Sequence, residues 1–232
     1  MKIDVLASGS KGNAYLVHMT DVTLLLEAGI PFKALQKASG YQLSSVDACL
    51  ITHEHKDHAY SAKDIIKSGI DTYMSKGTKE ALSLSDSHRL HTVKAHEKFQ
   101  IGSVIVYPFE AAHDAKEPLS YLIIDAQANE RLLFFTDTSQ VKYRFSGVTH
   151  MLAECNYSKE QMLSSFDEQS INASLVSRVV GSHLSLESLV KYLEGSDLKA
   201  LKEIYLVHLS DKNSDEQYMK TEVQKVTGAL VV

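Results

Sequence analysis

The stretch Thr52-His53-Glu54-His55-Lys56-Asp57-His58 decides how this chain is read. It follows Val46 to Ile51, a short aliphatic run that predicts a strand, so the motif stands at a strand's end. His53 and His55 are two residues apart, and in extended backbone both side chains leave the same face. Two imidazoles so placed can share one metal ion. Asp57 and His58 fall where the chain is predicted to turn into a helix over 58–68, which re-aims their side chains toward a neighbouring point. That suits a second cation roughly 3.5–4 Å from the first. The bland alternative for the same residues is a solvated polar loop.

Upstream of the motif, segments 2–7, 14–18 and 22–26 are rich in β-branched and aliphatic residues and predict strands around a glycine-rich loop, SGSKGN at 8–13. Pro31 opens a helix over 31–39 that Gly40 ends. Downstream, the pattern predicts a strand at 71–75, a helix at 77–84 and a return to strands from 90, clearest at 103–109, 119–125 and 131–136. A strand at 148–153, helices at 158–178 and 185–194, a strand at 203–208 and a terminal helix over 214–227 complete the pass. No internal repeat, low-complexity stretch or Pro/Ser-rich linker interrupts it, so residues 1–232 read as one mixed α/β domain.

Composition narrows the chemistry. The 232 residues are 44% hydrophobic and 23% charged, the balance of a globular chain able to bury a core without staples. No apolar run approaches the roughly 20 residues that span a bilayer. Met1-Lys2-Ile3-Asp4 sets an acid where a signal peptide continues its apolar stretch, so neither membrane insertion nor export is expected. Cys49 and Cys155 lie in apolar stretches, which reads as buried, reduced thiols and a cytoplasmic location. A net charge of −5 argues against broad adhesion to phosphate backbones, so any nucleic-acid contact is local or metal-assisted. The chain holds 11 histidines, several grouped with carboxylates, and that excess is the informative number.

Four downstream positions can complete a ligand set, each at or after an apolar run. His113 follows VIVYPFEAA, Asp137 follows LLFFT, His208 ends EIYLV, and His183 stands in GSHLS ahead of a helix. Imidazole and carboxylate donors in this number suit Zn²⁺, with Mn²⁺ or Fe²⁺ as the other candidates. The remaining histidines, His18, His88, His91, His96 and His150, lack paired spacing at strand ends and are expected in structural or surface roles. The tyrosines form no alternating basic-aromatic stripe, so no stacking platform for single strands is expected.

The HxHxDH arrangement at 53–58 resembles the signature of the metallo-β-lactamase superfamily. ASGSKGN at 7–13, HDA at 113–115, FTDT at 135–138 and HLS at both 183–185 and 208–210 are similar to blocks of its WalJ (YycJ-type) branch, which includes phage-borne relatives. The resemblance implies an αββα sandwich, two mixed β-sheets flanked by helices, with a dinuclear metal site along one edge. Carried over by motif, His53, His55 and His113 would hold the first metal, Asp57, His58 and His208 the second, and Asp137 would bridge them. His183 is expected near the scissile phosphate as general acid or phosphate contact, although 183 and 208 could be exchanged. One departure stands out: LLLEAG puts Glu27 where the family has Asp, in a position that orients the histidine motif.

The implied reaction is hydrolysis of a phosphodiester by a metal-bridging hydroxide, with Asp57 orienting the nucleophile and taking its proton. Lys11 and the backbone N–H groups of SGSKGN offer an anion contact, unless that loop is a plain turn. A nuclease acting on DNA or RNA is the first expectation, and a cyclic-nucleotide phosphodiesterase the second. A metal-stabilised interaction protein without catalysis is the reading from another class. A homodimer is compatible with each.

Overall fold

The computed structural model describes residues 1–162, 179–210 and 214–232. The chain forms two compact units, Met1–Glu110 with Ala115–Glu130 and Ala111–Asp114 with Arg131–Val232.

In the first unit, β1 (Lys2–Ala7), β2 (Ala14–His18) and β3 (Thr23–Leu26) form an antiparallel meander. β4 (Ala48–Leu50), β5 (Asp71–Ser75) and β6 (Leu90–Val93) then continue the sheet in parallel, in the order β1-β2-β3-β4-β5-β6. Parallel neighbours need crossovers, and helices supply them. α1 (Phe32–Ala38) links β3 to β4, α2 (Lys56–Ala59) and α3 (Ala62–Lys67) link β4 to β5, and α4 (Lys76–Ala81) links β5 to β6. Leu35 and Ile65 from these helices join Leu25, Cys49, Ile51 and Met74 from the sheet in one buried cluster. β7 (Phe99–Ile101), β8 (Val104–Glu110) and β9 (Leu119–Asp125) make an antiparallel ribbon, from which the Tyr121 hydroxyl donates to Ile51 O at 2.7 Å.

In the second unit, β10 (Glu130–Phe135), β11 (His150–Glu154), β12 (Glu203–Val207) and β13 (Leu230–Val231) run parallel, each beside the next. β11 is buried along its whole length, as a central parallel strand should be. α5 (Leu186–Glu194) is capped by Ser185, whose side chain accepts from Ser188 N at 3.2 Å, and buries Leu186, Leu189 and Leu193. α6 (Glu216–Thr227) starts on Asp215 and stops at Gly228, whose φ of 64° is the left-handed cap that glycine takes without strain.

Most predicted elements form within a residue or two of the expected limits. The helix expected over 58–68 is two short helices, because tertiary bonds take the carbonyls that a continuous helix would use. Asp57 O accepts from Asn13 N at 2.8 Å, His58 O accepts from Ala28 N at 2.8 Å, and Ser61 N turns to Ala28 O at 2.8 Å. The helix expected at 77–84 ends at Ala81, and Ser83 takes a φ of 51°. The two-residue β13 was not expected from its pattern. Of the helix expected over 158–178, residues 163–178 lie outside the described ones. Cys49 and Cys155 are buried free thiols.

Candidate metal centre

Each unit gathers imidazoles and carboxylates where parallel strands end. In the first unit β3 and β4 pair in register, Leu26 beside Leu50, so the residues that follow them emerge side by side. Those residues are Glu27 and the Thr52–His58 segment. The His53 ring lies 4.7 Å from that of His55 and 4.3 Å from that of His58, centroid to centroid. Donor atoms of His53 and His55 come within 4.8 Å of each other, as do those of Asp57 and His58. His53 Nδ1 is 2.8 Å from Thr52 Oγ1, which fixes the ring.

Glu27 is fully buried behind this group. Its Oε2 accepts from Thr52 N at 3.3 Å, and its Oε1 stands 3.6 Å from His58 Nδ1. Burial raises the carboxyl's pKa against the opposing pull of His58 and Thr52. On the other edge of His58, Nε2 is 3.3 Å from Asn13 Nδ2 and 3.4 Å from Asp57 Oδ2. The glycine-rich loop is therefore packed against the motif. Gly29 sits in the same contact, and a Cβ there would meet Asp57 O at 1.7 Å, so no side chain is tolerated.

In the second unit the strand ends supply Asp137 after β10, Glu154 at the end of β11 and His208 after β12. With His183 these offer donor atoms within 4.8 Å of one another. His208 Nδ1 is 3.3 Å from Asp137 Oδ1 and 3.5 Å from Glu154 Oε1. His113 Nδ1 donates to Ser182 O at 2.9 Å, which leaves Nε2 facing Asp137 Oδ2 at 3.2 Å. Burial lowers the His113 pKa, more than Asp137 restores it, and favours the neutral ring that a metal requires.

Glu154 was not foreseen, and it is the hub of this second group. It is fully buried, and its Oε2 accepts from Thr138 N at 2.9 Å and Leu184 N at 3.2 Å. Its Oε1 accepts from His183 Nδ1 at 2.7 Å. Burial alone would lower the His183 pKa, but the bond and charge of Glu154 reverse the sign and raise it. The carboxyl moves the other way: burial raises it, and His183 and His208 bring it below its ordinary value. The one sequence signal for Glu154 was an acid closing an otherwise apolar strand, MLAE. The two HLS histidines share this cluster: His183 is held by Glu154 at 2.7 Å, and His208 stands 3.3 Å from Asp137 and 3.5 Å from Glu154.

The five other histidines have ordinary partners or settings. His91 Nε2 is 2.9 Å from Asp71 and its ring stacks on Tyr73, His96 Nε2 is 2.8 Å from Glu110, and His18 Nε2 is 3.1 Å from Asp4. His150 Nδ1 is 2.8 Å from Thr149 Oγ1, and His88 is exposed.

The model of a family described as "Beta-lactamase superfamily domain" matches residues 23–209. A protein of Streptococcus pneumoniae named exodeoxyribonuclease WalJ is 29% identical over 227 residues, covering 92% of this chain and 83% of its own. Exodeoxyribonuclease YycJ of Bacillus anthracis is 28% identical over 242 residues, covering 97% and 89%. Among solved structures, the metallo-β-lactamase fold protein YhfI from Bacillus subtilis aligns with a TM-score of 0.73 at 16% identity, covering 99% of this chain and 94% of that one. The short form of human tRNase Z aligns with a TM-score of 0.67 at 14% identity, covering 91% and 93%. At those identities the structural matches establish the fold, which is the expected α/β class of two mixed sheets with flanking helices.

Proposed function

From the premise that the chain belongs to the β-lactamase superfamily, shown by the match over residues 23–209, we propose that it is a metal-dependent nuclease that cleaves phosphodiester bonds in DNA. The sequence relatives named exodeoxyribonucleases, alike over nearly the whole chain, support the substrate class. The observation that carries the chemistry is the group Asp137, Glu154, His183 and His208, buried but for the partly exposed His183, with donor atoms within 4.8 Å of one another. Nitrogen and carboxylate donors of this kind fit Zn²⁺, Mn²⁺ or Fe²⁺, and the further imidazoles of the 53–58 segment favour Zn²⁺.

We assign His53, His55 and His113 to one ion, Asp57, His58 and His208 to a second, and Asp137 to both. Bound there, the ions supply Lewis acidity toward water and the phosphoryl oxygens. The rest is the work of side chains. Asp57 orients the attacking water and accepts its proton on a carboxylate oxygen. His183 gives its Nδ1 hydrogen to Glu154 Oε1, so the proton available to the leaving oxygen is the one on Nε2. The bond to Glu154 raises the His183 pKa above that of a free imidazole. Glu27, at His58 and Thr52, holds the motif in register.

The family match runs through both compact units, which supports treating them as one domain. The two buried thiols support a cytoplasmic location, and among the described residues no helix is long and apolar enough to cross a membrane. A substrate panel tests the reading: metal-loaded protein with linear DNA, RNA, 3′,5′-cyclic mononucleotides and bis(p-nitrophenyl) phosphate. DNA hydrolysed in preference to the others is expected. Preference for a cyclic mononucleotide would replace the nuclease reading, and bound metal with no turnover of any substrate would leave a non-catalytic protein.

A further inference from the structure

A cavity of about 320 Å³ opens on the first unit, walled by Ser10, Lys11, Lys56, Asp57 and Tyr60. It is built rather than incidental. The Asn13 side chain accepts from Gly9 N at 3.0 Å and donates to Gly9 O and Asp57 O at 3.2 Å each, and Asn13 N donates to Asp57 O at 2.8 Å. Those bonds pin the glycine-rich loop to the start of α2, and Lys11 and Asp57 line the same cavity. Lys56 Nζ lies 5.2 Å from the Tyr60 ring centroid, and Tyr60 is 49% exposed, a large aromatic left in water between loop and helix.

Two ammonium groups, a hydroxyl and an accessible aromatic face in a space of this size match one chemistry. Ammonium groups hold phosphate oxygens as point charges, and a base of any identity stacks on an aromatic ring. On a chain of net charge −5, such a site attracts a nucleic acid locally where the surface as a whole does not. We propose that this cavity holds the nucleotide next to the scissile phosphate of a single-stranded DNA substrate, with its phosphate between Lys11 and Lys56 and its base on Tyr60. The inference rests on the nuclease reading above and deepens it, because a cyclic mononucleotide has no neighbouring nucleotide to place there.

The test is fluorescence anisotropy of a phosphorothioate-linked single-stranded oligonucleotide with metal-loaded protein, alongside kinetics on ordinary DNA and on bis(p-nitrophenyl) phosphate. Tyr60→Ala is expected to weaken oligonucleotide binding about tenfold, while Tyr60→Phe, which keeps the stacking face, stays within about twofold of the wild type. Lys11→Ala is expected to weaken binding and to reduce the slope of log Kd against log salt by about 0.7, the loss of one single-strand phosphate contact. In Tyr60→Ala, kcat/KM should fall further on DNA than on the small ester. Wild-type DNA hydrolysis with unaltered affinity in both Tyr60→Ala and Lys11→Ala would overturn the subsite and leave the nuclease standing. Wild-type protein that cleaves the ester and no DNA would overturn both.

Discussion

Glu27, Asp137 and His208 share a backbone feature, φ angles of 63°, 47° and 56°, which Tyr41, Ser83, His96 and Asn129 show away from the clusters. Each of the three lies just past the end of a parallel strand, and none is glycine. Left-handed backbone costs a side-chain-bearing residue about 1–3 kcal/mol, a cost kept where it points a functional group. Glu27→Gln keeps the shape and removes the charge facing His58. It is expected to weaken metal binding by about 10–100-fold, read by competition with a chromophoric chelator. Asp137→Ala removes the ligand assigned to both ions, so turnover should fall by more than the ~10–100-fold that loss of an outer partner costs, with an unchanged circular dichroism spectrum. Near-normal rates would refute the bridging assignment.

At the scale of elements, stability near the ends of β2, β3 and β9 depends on one carboxylate. Asp125, the last residue of β9, accepts from Thr20 N at 2.9 Å and Thr20 Oγ1 at 2.8 Å, tying the turn between β2 and β3 to the ribbon. It also accepts from Gln127 N at 3.1 Å and Ala128 N at 3.2 Å, closing its own turn. Burial would raise its pKa, but these donors outweigh it and hold the carboxyl below the ordinary value. An unfolded aspartate titrates near ~3.9 and therefore binds its proton first as the pH falls. The stabilisation is thus complete above that value and is lost as pH drops through the lower folded pKa. Asp125→Ala is expected to cost about 1–3 kcal/mol in urea unfolding at pH 7. The gap from wild type should narrow at pH 3, and a constant gap would show that the charge is not what matters.

For the molecule as a whole, metal ions and folding are coupled by mass action. A bound ion at a hundred times its Kd adds ~2.7 kcal/mol, which for a chain of this size corresponds to a rise in Tm on the order of 5–10 °C. Exhaustive chelation should lower Tm by about that much and abolish hydrolysis, and calorimetry with Zn²⁺, Mn²⁺ and Fe²⁺ added back separately would rank the ions. A Tm indifferent to chelation and to every ion would contradict metal binding at the buried clusters. The net charge of −5 adds a condition: contact with DNA must come from a few local cations, so log Kd should change only shallowly with log salt, by about 0.7 for each single-strand phosphate contact.

Local pattern alone determined the strands other than β13 and most helices, because alternation and apolar runs reflect burial of one strand or one face at a time. It also determined the HxHxDH segment, whose chemistry lies in residues adjacent along the chain. Tertiary structure decided what depends on distant partners. The break after α2 exists because Asn13 and Ala28 claim the carbonyls of Asp57 and His58, which no window around residue 58 reveals. Glu154 looked like the end of an apolar strand until folding brought Thr138, Leu184 and His183 to its carboxylate. Hydrogen bonds between residues far apart in the chain leave no periodic mark in it, so the donors' types were legible and the hub that holds His183 was not.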